Sequence, residues 1–117
     1  LLAQQRRHLA VAEVGIHRSA DRKAGDQAEG YTTILNLIEF PKGVELGGLR
    51  ILYPTKEDYD KSLVWSAELL RRGRPVPAVD LVISATSVRL GLQLVTRDRH
   101  FKEIKSAVSE LNLRTKR

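Results

Sequence analysis

Cysteine and methionine are both absent from this chain of 117 residues. Without cysteine there is no disulfide bond and no thiolate metal site, so a cytoplasmic location is expected. No apolar run approaches the ~20 residues that a transmembrane helix needs, and the first residues lack a signal-peptide pattern, so no membrane partner is expected. Because the chain begins at Leu1 and holds no methionine, we expect that residues were removed or left out upstream.

Positive charge is in excess. The chain has 20 Lys and Arg against 14 Asp and Glu, a net charge of +6. This excess favours a polyanionic partner such as RNA, DNA or an acidic protein, although a basic surface that only aids solubility explains it as well. Hydrophobic residues make up 42% of the chain, and the length suits a single domain over residues 1–117.

Strand-like and helix-like segments alternate from residue 31 onward. The predicted strands cover residues 31–35, 49–53, 92–96 and a short closing segment at 111–113. The predicted helices cover residues 36–40, 55–72, 78–90 and 98–110. A short amphipathic helix is predicted over residues 2–12, and a helix remnant with a polar loop over 17–30. The alternation predicts a three-layer α/β/α sandwich with a mostly parallel central sheet.

The two longest predicted helices differ in character. Thr55 suits an N-cap and Asp58 lies three residues on, close to a capping box. The expected buried stripe of this helix is Tyr59, Leu63, Ser66 or Ala67, and Leu70. The helix over residues 78–90 is apolar nearly all round, which is typical of a helix that is sandwiched inside a domain.

Asp80 is an acid in the opening turn of that apolar helix. Burying an ionised carboxylate without a partner costs several kcal/mol, and a helix N-terminus returns only about 1 kcal/mol of this. A cation or a network of donors would supply the difference. The alternative is that Asp80 only caps the first turn of its helix.

Two further acids follow predicted strands. Asp98 comes directly after the strand over residues 92–96, at the edge where open parallel sheets bind ligands. Taken alone, a helix N-cap explains Asp98 better. Glu39 lies between Ile38 and Phe40, about one helical turn after a strand. The alternative to a role in a site is that its side chain simply points to water.

The three acids together predict a metal site. Places just after a strand or at the start of the next helix share one edge of a parallel sheet, so Glu39, Asp80 and Asp98 are expected to meet there. Like charges at close range repel, and a divalent cation removes the conflict. Oxygen ligands without cysteine favour a hard ion, Mg²⁺ or Mn²⁺, which can activate water for attack on a phosphodiester.

Basic residues lie next to this predicted site. Arg97 and Arg99 bracket Asp98, and arginine binds phosphate well through two parallel hydrogen bonds, so both are candidates to hold substrate phosphates. His100, like His8 and His17, is expected to be a surface residue, because a metal-dependent nuclease needs no further general base.

The segment from Tyr31 to Val108 resembles the PIN-domain family, and within it the VapC-type toxin ribonucleases. The stretch VDLVISATSVRLGLQLVTRDRHFKEI (Val79–Ile104) matches the family's acid-opened apolar helix, its glycine and strand, and its Thr-x-Asp with an aromatic residue three places on. The matching residues are Asp80, Ala85, Gly91, Leu94, Thr96, Asp98 and Phe101. YTTILNLIEF resembles the family's second-strand segment, with its glutamate at Glu39.

The resemblance implies a function. It makes Glu39, Asp80 and Asp98 metal ligands and Thr96 a supporting residue near the substrate phosphate or the carboxylates. The implied activity is Mg²⁺- or Mn²⁺-dependent endoribonuclease cleavage of single-stranded or structured RNA. The implied partners are RNA, a small antitoxin protein and a second copy of the chain in a homodimer.

One departure from the family keeps an alternative open. The family begins with a central strand that ends in an Asp, and no residue here matches it, so that strand is expected upstream of Leu1. Without the first acid, the chain would be a catalytically inactive PIN-like module that binds RNA or a protein. A response-regulator-like signalling domain also clusters acids, but its paired acids and late lysine are not visible here.

Overall fold

The computed structural model describes residues 8–10, 30–45 and 49–115. Its five strands are β1 (His8–Ala10), β2 (Gly30–Thr33), β3 (Leu49–Leu52), β4 (Gln93–Thr96) and β5 (Leu113–Thr115). The α-helices of the described residues are α1 (Ile34–Glu39), α2 (Lys56–Arg71), α3 (Ala78–Leu90) and α4 (His100–Ala107). A 3-10 helix, Pro41–Glu45, follows α1. No helix in these ranges is long and apolar enough to cross a membrane.

The strands form one sheet in the order β3-β2-β1-β4-β5, and every neighbouring pair is parallel. The chain moves outward from β1 through β2 to β3, then crosses to β4 and β5 on the other side. Because parallel crossovers are right-handed, α1 lies on one face and the later helices lie on the other. In agreement, α2 packs against α3, and both contact α4. The predicted α/β/α architecture is confirmed.

The middle strand of the sheet is β1. It pairs with β2 through Leu9 and Ala10, and with β4 through the same residues and His8. The helix predicted over residues 2–12 is therefore wrong at these three residues, and its other residues lie outside the described part, as do residues 17–29. The middle strand of the sheet was predicted to lie upstream of Leu1, but β1 occupies that position. Pairing with strands on both sides makes this segment a strand, since a three-residue stretch carries little strand preference of its own.

The first strand-to-helix turn lies two residues earlier than predicted. Thr33 ends β2, and its hydroxyl accepts a 3.1 Å hydrogen bond from the backbone N–H of Asn36. Ile34 and Leu35 therefore open α1 instead of extending the strand. This cap fixes where α1 begins, and α1 ends at Glu39.

The boundaries of the last elements also shift. Helix α4 is shorter than predicted, ending at Ala107 and not at Glu110. The closing strand β5 covers Leu113–Thr115, two residues later than the strand predicted at residues 111–113. Leu111, placed in the strand by the sequence analysis, is instead a fully buried side chain of the preceding loop.

The capping box of α2 is confirmed: Thr55 and Asp58 each accept the other's backbone N–H. The predicted buried stripe of this helix is wrong, because Tyr59, Leu63 and Leu70 are 50%, 72% and 60% exposed. The face turned inward instead carries Asp58, Ser62 and Leu69.

Helix α3 is enclosed as predicted, and its residues from Leu81 to Ser87 are all buried. Its buried hydroxyl groups contact carbonyl oxygens of the helix itself; for example, Ser84 donates to the carbonyl oxygen of Asp80 at 2.9 Å. The hydroxyl of Thr86 also reaches the carboxylate of Asp58 on α2. The core around α3 consists of Tyr31, Leu69, Leu81, Ile83, Leu92, Leu94, Phe101, Ile104, Val108 and Leu111. Asp80, in the first turn of α3, therefore stands on a rigid support.

Candidate functional site

A cavity of about 390 Å³ opens where three elements meet: the end of α1, the start of α3 and the turn between β4 and α4. Both α1 and this turn follow directly on parallel strands, so the cavity lies at the carboxyl edge of the sheet, where such sheets bind ligands. The lining residues are Glu39, Phe40, Pro77, Ala78, Val79, Asp80, Asp98 and His100.

Asp80 enters the cavity from the first turn of α3. Pro77 precedes the helix with φ of −60° and provides no side-chain cap. The positive end of the helix dipole favours a negative charge nearby. The side chain of Asp80 is 14% exposed, so it is withdrawn from bulk water but still reaches the cavity.

Asp98 is held by hydrogen bonds on both sides. Its backbone N–H donates to the hydroxyl of Thr96 at 2.9 Å, and its Oδ1 accepts the backbone N–H of His100, also at 2.9 Å. Thr96 is the last residue of β4 and is fully buried. The core of the sheet thus fixes the position of the Asp98 carboxylate.

His100 brings a nitrogen atom to the same point. Its Nδ1 lies 3.1 Å from Oδ1 of Asp98 and 3.3 Å from Oδ2 of Asp80. The side chain as a whole is 45% exposed, yet Nδ1 itself is buried and has no hydrogen-bond partner among the described residues. One ligand atom from each of Asp80, Asp98 and His100 lies within 4.8 Å of the others.

Glu39 lines the same cavity but stands apart from this group. It is exposed at the last position of α1, and the cluster of closely spaced ligand atoms in the described residues does not include it. The structure thus brings two of the three predicted acids into direct proximity, and Glu39 shares the cavity with them without joining the cluster.

The other predicted site residues lie around the cavity. Thr96 is fully buried, and its hydroxyl accepts the backbone N–H of Asp98. It therefore has a supporting position next to the carboxylate, and a role toward the substrate phosphate stays a prediction. Arg97 and Arg99 are exposed beside Asp98 and are not part of the cavity lining.

Sequence reasoning missed His100, which it took for a surface residue. The available signal was its spacing: it comes two residues after Asp98, and the intervening turn folds back so that its N–H and its ring both face that carboxylate. Its proximity to Asp80, 20 positions earlier in the chain, depends on the packing of α4 against α3 and leaves no local pattern.

Solved structures with the same fold include bacterial VapBC complexes. A chain of VapBC2 from Rickettsia felis, bound to a DNA fragment from its promoter, aligns with a TM-score of 0.71 at 15% identity over 92% of this chain and 97% of that one. A chain of the DNA-bound VapBC from Salmonella typhimurium aligns with a TM-score of 0.71 at 16% identity, over 93% of this chain and 97% of that one. A chain of VapBC-1 from nontypeable Haemophilus influenzae aligns with a TM-score of 0.63 at 16% identity, over 92% of this chain and 96% of that one.

The chain has a VapC-like PIN fold. No family model and no curated protein matches its sequence, so this assignment comes from the three-dimensional arrangement. In this VapC-like fold, Asp80 and Asp98 flank the place where the topology reverses, between β1 and β4. The cavity therefore occupies the position in which a doubly wound sheet presents its ligand site.

Proposed function

We propose that this chain is a metal-dependent endoribonuclease that cleaves single-stranded or structured RNA, and that it is the toxin of a VapBC-type toxin–antitoxin pair. The observation that carries the proposal is the approach of Asp80, Asp98 and His100 at the cavity, with their ligand atoms within 4.8 Å of one another. The VapC-like fold and the net charge of +6 support it, since a positive protein attracts the phosphates of RNA.

The side chains at the cavity fit a divalent cation. Two carboxylates at close range repel each other unless a positive charge lies between them. Within the described part of the chain, the buried Nδ1 of His100 has no hydrogen-bond partner, and it is a further atom that a cation would satisfy. We assign Asp80 and Asp98 to Mg²⁺ or Mn²⁺, with Glu39 approaching from α1.

When bound, the ion would activate water and offset the negative charge that develops on the phosphate. The protein's own residues prepare the site. Thr96 holds the backbone of Asp98, and the first turn of α3 presents Asp80. Arg97 and Arg99, exposed next to the cavity, are assigned to the phosphates that flank the cleaved bond, because guanidinium groups bind phosphate with two hydrogen bonds.

We also propose that the chain works with protein partners, a small antitoxin and a second copy of itself. Helix α2 supports this part of the proposal: Tyr59, Leu63, Val64 and Leu70 are between 50% and 72% exposed. Several large apolar side chains exposed on one helix are typical of surfaces that another protein covers. The solved VapBC structures with this fold are complexes, in line with an antitoxin partner.

A specific sequence feature favours one alternative, a catalytically inactive PIN-like module that binds RNA or a protein. The middle strand β1 is followed in the sequence by Val11 and Ala12, not by the aspartate that the family pattern has there. If that acid is indispensable, RNA would bind without being cut.

Cleavage of a mixed pool of single-stranded RNA by the purified chain tests the proposal. Cleavage is expected with Mg²⁺ or Mn²⁺, none with EDTA, and none for Asp80→Asn, which keeps the shape of the side chain but removes its charge. The control is Asp60→Asn, which alters an exposed acid paired with Lys56 on α2. Cleavage that survives EDTA or Asp80→Asn contradicts the proposal, and binding without cleavage favours the inactive module.

A further inference from the structure

The ring of His100 is exposed on one side and closed off on the other. Its side chain is 45% exposed, whereas Nδ1 is buried between the carboxylates of Asp80 and Asp98. The backbone N–H of His100 donates to Oδ1 of Asp98, which anchors the start of α4 to the same carboxylate. The orientation of the ring is therefore set by contacts at both its backbone and its nitrogen.

The distances from Nδ1 of His100 to the two carboxylates match those between neighbouring ligands of one ion. Two ligand atoms ~2.1 Å from a cation lie ~3.0 Å apart in an octahedral site and ~3.4 Å apart in a tetrahedral site. The Nδ1 atom of His100 lies 3.1 and 3.3 Å from the nearest oxygens of the two aspartates. Neither contact has the geometry of a hydrogen bond, so the nitrogen is placed beside both oxygens without bonding to either.

We propose that His100 coordinates the divalent cation through Nδ1, as a third protein ligand beside Asp80 and Asp98. The inference rests on the proposed function, because the cation is that of the nuclease site. With this ligand the donor set, predicted to contain oxygen alone, becomes a mixture of nitrogen and oxygen.

A mixed donor set changes which metal the site prefers. Carboxylates suit Mg²⁺ and Mn²⁺, whereas imidazole suits later transition metals, whose affinity for nitrogen ligands rises along the first-row series. The site is therefore expected to bind Co²⁺ more tightly than Mn²⁺, and Mn²⁺ more tightly than Mg²⁺. His100→Gln is expected to weaken Co²⁺ binding most and Mg²⁺ binding least.

The rival account is an ion pair in which a protonated His100 bridges the two aspartates without any metal. The two accounts predict opposite changes in metal affinity when His100 is replaced. A ligand that is removed weakens metal binding, whereas removal of a positive group that occupies the site leaves binding unchanged or tightens it.

The experiment uses the full, untagged chain and two probes, Co²⁺ and Mn²⁺. Calorimetric titration is expected to show Co²⁺ affinity falling at least ~10-fold in His100→Gln, the lower bound for losing even an outer-shell partner. Pulsed electron paramagnetic resonance of bound Mn²⁺ is expected to show coupling to a ¹⁴N nucleus in the wild type. That coupling should vanish in His100→Gln and persist in His17→Gln, a control that removes another of the three histidines.

The outcomes separate this inference from the proposed function. If His100→Gln binds both metals as tightly as the wild type while Asp80→Asn and Asp98→Asn lose binding, His100 is not a ligand and the nuclease proposal stands. If the wild type binds neither metal, both proposals fall. Should His100→Gln fail to fold by circular dichroism, His100→Asp replaces it, and this variant is expected to keep Mn²⁺ affinity without the ¹⁴N coupling; persistent coupling would overturn the inference.

Discussion

Nε of Arg89 on α3 donates to both carboxylate oxygens of Asp58 on α2, at distances of 2.9 and 3.1 Å. The side chain of Asp58 has no exposed surface, and that of Arg89 is 26% exposed. The backbone N–H of Thr55 and the hydroxyl of Thr86 also donate to this carboxylate. The pair thus fixes how α2 lies on the enclosed helix that carries Asp80.

Breaking this ion pair is expected to destabilise the fold. Arg89→Met leaves the buried carboxylate of Asp58 without its cation, and we expect the free energy of unfolding to fall by about 3 kcal/mol, the lower end of the range for a broken buried pair. Urea denaturation followed by circular dichroism measures it. Lys56→Met, which breaks an exposed pair with Asp60, serves as control and should change little. Equal stabilities of the two variants would contradict the account.

The same carboxylate makes stability depend on pH. Burial alone would raise the pKa of Asp58, but hydrogen bonds from Arg89 and two threonines, with the charge of Arg89, outweigh burial and lower the pKa below 3.8. A carboxyl with a lowered folded pKa stabilises the fold above its unfolded pKa, and this contribution is lost as pH falls through the folded value. We expect the free energy of unfolding to drop below pH ~4.

Urea denaturation at a series of pH values between neutrality and strong acid tests this expectation. Asp58→Asn cannot titrate at this position, so its stability should be lower at neutral pH and should fall less on acidification. Parallel pH profiles for the variant and the wild type would show that Asp58 does not carry the effect.

Thr96 is expected to affect the site through Asp98. Thr96→Val removes the hydroxyl that accepts the N–H of Asp98, and Mn²⁺ affinity and RNA cleavage should fall ~10–100-fold, as for the loss of a supporting hydrogen bond around a metal ligand. Thr96→Ser keeps the hydroxyl and should stay near the wild type. If serine and valine give the same affinity, the hydroxyl has no positioning role.

Glu39 lines the cavity from α1, and its replacement tests whether that wall contributes to the metal site. Glu39→Gln is expected to lower Mn²⁺ affinity and cleavage with little change in stability, because the side chain is exposed. Glu45→Gln, an exposed acid in the nearby 3-10 helix, is the matched control. Calorimetric titration of both variants gives the comparison, and identical Mn²⁺ affinities would remove Glu39 from the site.

The exposed apolar side chains of α2 lead to a prediction about assembly. If a second copy covers this face, the wild type should have twice the 13.2 kDa mass of one chain by light scattering. Leu63→Glu places a charge on a side chain that is 72% exposed, so it should leave the monomer folded and prevent pairing. Glu57→Gln, also exposed on α2, should remain dimeric. A wild type that is monomeric at high concentration would refute this prediction.

Local sequence signals predicted the helices well where a cap sets the boundary. Thr55 and Asp58 begin α2 through a reciprocal pair of hydrogen bonds between neighbours. Gly91 ends α3 with a φ of +67°, a left-handed conformation that glycine adopts without strain. The alternation of these elements was sufficient to predict a parallel α/β fold, because all the information lay within a few residues of each boundary.

The predictions from sequence were wrong where contacts between residues distant in the chain determine the local structure. Tyr59 and Leu63 looked like a buried stripe, but the partner of Asp58 lies 31 residues away, and this pair turns the other face of α2 inward. The strand His8–Ala10 is decided by neighbours on both sides of the sheet. His100 meets Asp80 only because α4 packs on α3, so sequence spacing predicted the acids of the site but not the nitrogen among them.

The central claim is that Asp80 and Asp98 hold a divalent cation at the carboxyl edge of the sheet. Anomalous X-ray scattering from crystals of the full chain grown with Mn²⁺ tests it most directly. We predict a peak bonded to both carboxylates and to Nδ1 of His100, and no such peak in Asp98→Asn crystals. Wild-type crystals with saturating Mn²⁺ and no anomalous density between Asp80 and Asp98 would contradict the account.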